Sequence, residues 1–195
     1  MRDKIVRNEV VRLSADLVTV LGPNLELHDC TVESFADNRG VVIAGVVMSG
    51  GIFDQHVRMA NFHFEKIRFN NVQFKGEYVG CDFGDWDDVK VPRVSDCDFS
   101  AAALHECRFL NCDMTRVVTP KWPFFRMINP AEARDFVKSK SWPKGVGLML
   151  DIYTDTDPEC VALVASAEAM AEDSKVPLDQ LRVMLETIPG VEIQD

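Results

Sequence analysis

The sequence predicts a mainly β chain that coils into a stacked solenoid and ends in a small, mainly α-helical region. Three observations predict it. The stretch Cys97–Met114, CDFSAAALHECRFLNCDM, places Phe99, Leu104, Phe109 and Met114 at every fifth residue. Two residues before each stand the small Cys97, Ala102, Cys107 and Cys112, with mostly polar residues between. After Met114 this period stops, and helix-opening sequence follows. A helix repeats its apolar face about every 3.6 residues and a strand every 2, so neither explains a period of five. A coiled backbone with five-residue sides does, each side sending one large and one small side chain inward.

The units Cys97-Asp98-Phe99, Ala102-Ala103-Leu104, Cys107-Arg108-Phe109 and Cys112-Asp113-Met114 resemble the pentapeptide-repeat family, whose unit is a small residue, a polar one, Leu or Phe, and two variable ones. The resemblance implies a right-handed quadrilateral β-helix with four units to a coil of about twenty residues. It implies little about function.

Upstream, Val10, Val11 and Leu13 supply a first strand or a cover for the open end. The five-residue register starts at Ala15/Leu17, Val20/Gly22, Leu25/Leu27 and Cys30/Val32. It slips at the turn Asp37-Asn38-Arg39-Gly40, and resumes one residue out of phase at Val41/Ile43, Val46/Met48 and Gly51/Phe53. Phe62/Phe64, Ile67/Phe69, Val72/Phe74 and Glu77/Val79 complete one turn, with Phe62 capping or locally swelling the interior. Cys81-Asp82-Phe83 comes one position early, Gly84–Asp88 projects as a loop, and Val89 and Val94 restore the phase. About five coils are expected, with residues 1–119 forming the solenoid and its N-terminal cap. Such units bury their apolar sides only by stacking, so both ends need covers.

Residues 120–195 form the helical capping or interaction region. Trp122-Pro-Phe-Phe125 is a candidate plug for the last coil. Asn129-Pro130 opens a short helix, and Val146–Leu150 with Ile152 reads as a strand or buried linker. Helices are expected from Pro158 to Asp173, capped by Asp157, and from Pro177 to Thr187, with Leu178, Leu181, Met184, Leu185 and Ile188 as the apolar stripe of the second.

The chain has 195 residues and a formal charge of −10, divided as −2 over residues 1–60, −3 over 61–118 and −5 over 119–195. No segment is basic, which argues against a phosphate-binding surface and direct nucleic-acid binding. There is no signal-peptide pattern and no apolar run near the ~20 residues of a membrane span, so a cytoplasmic location is expected. Of the six cysteines, Cys30, Cys97, Cys107 and Cys112 fall at small inward positions and read as buried thiols.

No chemical motif stands out. His28, His56, His63 and His105 form no metal-spaced pair, and no Gly-rich phosphate loop or nucleophile motif occurs. Asp151, Asp155 and Asp157 have oxygen-ligand chemistry but lack the glycine and glutamate of a calcium loop, so helix capping by Asp157 accounts for them better. No catalytic, cofactor or metal residue is therefore assigned. The recognition candidate is the acidic loop, in which Asp82, Asp85, Asp87 and Asp88 surround Trp86, an indole suited to anchoring a partner.

These features point to a non-enzymatic protein-interaction or inhibitory platform whose partner is another protein, with bacterial antitoxins and immunity-type inhibitors as the narrower expectation. A homodimer is compatible with it. The family resemblance implies an alternative, an acidic DNA mimic acting on type II topoisomerase. A small hydrolase or metal-dependent enzyme is a third reading. It would need a pocket between solenoid and helical region where Asp or His groups converge.

Overall fold

A computed structural model describes residues 1–87 and 92–195. The expected unit at Val89 lies outside the described residues, as does Asp88.

The chain opens with β1 (Lys4–Arg7), β2 (Val10–Leu13) and β3 (Thr19–Leu21), followed by β4 (Leu25–Ser34), β5 (Val41–Ile43) and β6 (Val46–Ala60). Next come β7 (His63–Phe64), β8 (Ile67–Asn70), β9 (Gln73–Val79) and β10 (Asp82–Gly84), then β11 (Val94–Ser95), β12 (Asp98–His105) and β13 (Cys107–Leu110). Each pairs in parallel with strands one turn away. Lys4 lies opposite Leu25, Leu25 opposite Val46 and Val46 opposite Ile67, a step of 21 residues. The next step, Phe69 to Val94, is 25 residues. The result is a β-solenoid of about four turns rather than five.

The additional residue per early turn explains the phase slip. Leu27, Val32, Ala36 and Val41 are buried, so the spacing of five breaks after Val32, where the next of these buried residues comes four positions on. Where a strict period of five was imposed before that point it misassigns the interior. Leu17 is 70 % exposed and Val20 exposed, while Leu13 and Leu21 are buried. Likewise Tyr78 turns inward, opposite Met59 and Leu104, where Glu77/Val79 was expected. In the organising stretch Cys97, Phe99, Ala102, Leu104, Cys107, Phe109 and Met114 are all buried.

Two ladders of rings fill the later turns. Phe53, Phe74 and Phe99 stack, with Phe74 and Phe99 centroids 4.2 Å apart at 3°. Phe64, Phe83 and Phe109 form a second column, the first pair 4.8 Å apart at 6°. Edge-to-face contacts such as Phe99–Phe109 join them, the arrangement aromatic quadrupoles favour. Phe62 is half-buried, edge-on to Phe64 at 4.8 Å. The thiols take the small inward stations, and four reach carbonyls one turn back: Cys30 to Val6, Cys81 to Met59, Cys107 to Tyr78 and Cys112 to Phe83.

The C-terminal region contains β14 (Phe124–Ile128), α1 (Arg134–Ser139), α2 (Lys144–Thr154), β15 (Cys160–Ser166), α3 (Ala167–Ser174), α4 (Leu178–Leu185) and β16 (Val191–Glu192). Two expectations fail here. Residues 146–152 lie in α2, because Val146, Leu150 and Tyr153 share one buried helical face. The helix expected over 158–173 is a strand followed by a shorter helix. β15 is buried on both faces, which removes the alternation that marks a half-exposed strand.

That strand seals the solenoid. β15 pairs antiparallel with β13 on one side and β14 on the other. Its Ala162 and Val164 enter the solenoid core, while Leu163 and Ala165 enter a second core with Phe125, Val146, Leu150 and Leu185. Phe125 is therefore not the plug; Ala162 and Val164 are. The β13 edge of the last turn is paired rather than open. Among the described residues no helix is long and apolar enough to cross a membrane.

Candidate functional site around Trp86

Gly84, at φ +109°, launches the loop. A Cβ there would lie 2.1 Å from the Leu110 carbonyl oxygen, so only glycine lets β10 pass this close to β13. The loop is described as far as Asp87. Asn111 pins it from the neighbouring turn, its Nδ2 donating to the carbonyls of Asp85 (3.0 Å), Trp86 (3.3 Å) and Asp87 (3.2 Å).

Two of the loop's carboxylates, Asp82 and Asp85, are engaged by arginines. Asp82 is 2 % exposed and lies on the rung between His63 and Arg108. Arg108 grips it with two hydrogen bonds, Nε at 2.7 Å and Nη2 at 2.8 Å, and His63 Nδ1 approaches to 2.9 Å. This fork-to-carboxylate geometry is the strong form of an ion pair. It also raises the Arg108 pKa, so the guanidinium stays charged. Asp85 is turned toward Arg93, at 3.6 Å. Asp82 is thus a structural anchor.

Trp86 stands over that anchor. The Arg108 guanidinium carbon lies 5.2 Å from its ring centroid, a cation–π distance, and 37 % of the residue remains exposed. The structure therefore brings together Asp82, Asp85, Trp86 and Asp87, with Asp88 outside the described residues. It adds His63, Arg93, Arg108 and Asn111, which sequence spacing did not single out. His63 and Arg108 each sit next to an inward residue of a repeat unit, which was the available signal that their side chains flank Asp82.

A cleft of about 320 Å³ lies where solenoid and C-terminal region meet, lined among others by His105, Glu106, Tyr153, Ser166 and Asp173. It is the kind of pocket the enzyme reading required, but its groups are not paired for acyl transfer. Ser166 Oγ accepts from the Ala169 amide as the cap of α3, Tyr153 donates to Glu106 at 3.0 Å, and the His105 ring meets Phe124 edge-on. Asp151 and Asp155 both face Arg134, at 3.5 and 3.0 Å. Among the described residues no three His, Cys, Asp or Glu side chains gather as a metal site.

Compared with known proteins, the chain matches no family model, no curated protein and no solved structure.

Proposed function

We propose that this chain is a non-enzymatic protein-interaction platform, inhibitory in the manner of an antitoxin or immunity protein, that engages a partner protein through the Trp86 face. The observation that carries the reading is the part-exposed indole held on Arg108, on a loop fastened to a rigid wall by Asn111. An aromatic ring already ordered in the free protein loses little entropy on docking, and such anchors dominate binding energy.

The scaffold reading supports it. Met48, Phe53, Met59 and Phe64 are four buried stations within one turn, and together with the thiols at small stations they favour a right-handed quadrilateral helix of the pentapeptide-repeat type. A cytoplasmic bacterial setting accords with six free thiols. DNA mimicry is favoured less, since Asp82, Asp85 and Asp96 are matched by Arg108, Arg93 and Arg116.

The test is capture from native lysate with wild type and Trp86→Ala as baits, after equal melting temperatures show that both fold. Loss of one stoichiometric protein with the variant, together with protection of Trp86 fluorescence from acrylamide when that protein is added back, supports the reading. Identical recoveries contradict it.

A further inference from the structure

We propose that the cleft formed by Lys66, Arg68 and Arg93 is a binding site for a dianionic tetrahedral oxyanion, a phosphate or phosphate monoester. The inference is independent of the Trp86 reading.

The cleft measures about 320 Å³ and is floored by Pro23, Leu25, Val46 and Val47. Its charged lining is Lys66, Arg68 and Arg93 against Glu26 alone, a local excess of two positive charges on a chain whose total is −10. Arg68 precedes Phe69, whose amide donates to the Arg93 carbonyl one turn later, so the two arginines stand on neighbouring rungs. Rungs are spaced by about 4.8 Å, and like charges at that separation destabilise a sheet unless an anion lies between them.

Among the described residues no protein group fills that role between the arginines, while Lys66 reaches Glu65 at 3.6 Å. Arg68 makes no ion pair among the described residues, and Glu26 is turned to His28 at 3.0 Å. Arg93 reaches only Asp85, through Nη2 at 3.6 Å. The decisive observation is that Nε of Arg68 and Nε of Arg93 are both buried with no hydrogen-bond partner among the described residues. A buried charged donor without an acceptor is costly, and the two arginines that carry these donors line one cleft. Guanidinium groups present forked donors that match phosphoryl oxygens. A phosphate monoester carries about −1.5 to −2 charges at neutral pH, close to the local excess. The apolar floor accommodates the organic part of an ester.

The test is titration of full-length protein with inorganic phosphate, phenyl phosphate and, at matched ionic strength, chloride. It is followed by amide chemical shifts at Arg68 and Arg93 and by melting temperature. Saturable shifts and a concentration-dependent rise in melting temperature are expected with the phosphates and not with chloride. Arg68→Gln removes a side chain that makes no ion pair among the described residues. It is expected to fold as wild type in chloride and to bind phosphate about tenfold more weakly or worse. Arg68→Lys keeps the charge but loses the fork, and falls between. Tighter binding of phenyl phosphate assigns an ester as ligand, and tighter inorganic phosphate assigns the free ion. Shifts that never saturate, an equal response to chloride, or undiminished binding by Arg68→Gln overturn the proposal.

Discussion

Arg108 shows how one side chain organises the candidate face. It neutralises buried Asp82 and at the same time supports the Trp86 ring. Replacing it with leucine leaves Asp82 with His63 alone. Breaking a buried pair typically costs 3–5 kcal/mol; Arg108 is partly solvated, so Arg108→Leu is expected to lose about 3 kcal/mol in urea unfolding. Asp82→Asn in the same background should recover part of that loss. The sequence placed Asp82 and Trp86 in one loop but did not show that they do different work, because the partners of Asp82 lie one turn away on either side. Burial acts on the thiols as well. It raises Cys97 to about 11 and Cys112 to about 12. The unfolded chain ionises its thiols above about pH 9, so stability present below that pH is lost as pH rises toward 11. Unfolding free energies from urea titrations at pH 8 to 11 should fall less steeply in Cys97→Ala than in wild type, by up to about 1.4 kcal/mol per pH unit.

The elements were legible where one period governs them. β12 and β13 carry the clean five-residue spacing, and Phe99 and Phe109 occupy the inward stations that spacing assigns. Phe99 stacks on Phe74 and meets both Phe83 and Phe109 edge-on. Phe99→Ala is expected to cost about 3–5 kcal/mol, against less than 1 for exposed Val10→Ala, measured by chemical denaturation. Legibility failed where tertiary contacts override local pattern. β15 reads Cys-Val-Ala-Leu-Val-Ala-Ser, and its alternate residues serve two different cores, so neither helical nor strand periodicity shows. α2 misled in the opposite sense, since Gly145, Val146 and Gly147 disfavour a helix that packing against the second core imposes.

Over the whole molecule, β15 joins the core of the solenoid to the core of the C-terminal region. Removing residues 120–195 would expose the β13 edge and the apolar end of the stack. The shortened chain is expected to self-associate in light scattering under conditions where the full chain does not. The charge distribution carries a similar lesson. Summed along segments the chain has no basic stretch, yet Lys66, Arg68 and Arg93 converge because coiling brings residues 25 apart onto adjacent rungs.

The central claim is that turns separated by about 21 residues stack in parallel and that β15 closes the last of them in reverse. Inter-strand nuclear Overhauser contacts on isotopically labelled protein test it most directly. Sequential contacts linking Leu27 to Met48 and Met48 to Phe69 in parallel register, with Cys107 opposite Val164 in antiparallel register, are the predicted result. Hairpin contacts between neighbouring segments in their place would contradict the solenoid and the binding face built upon it.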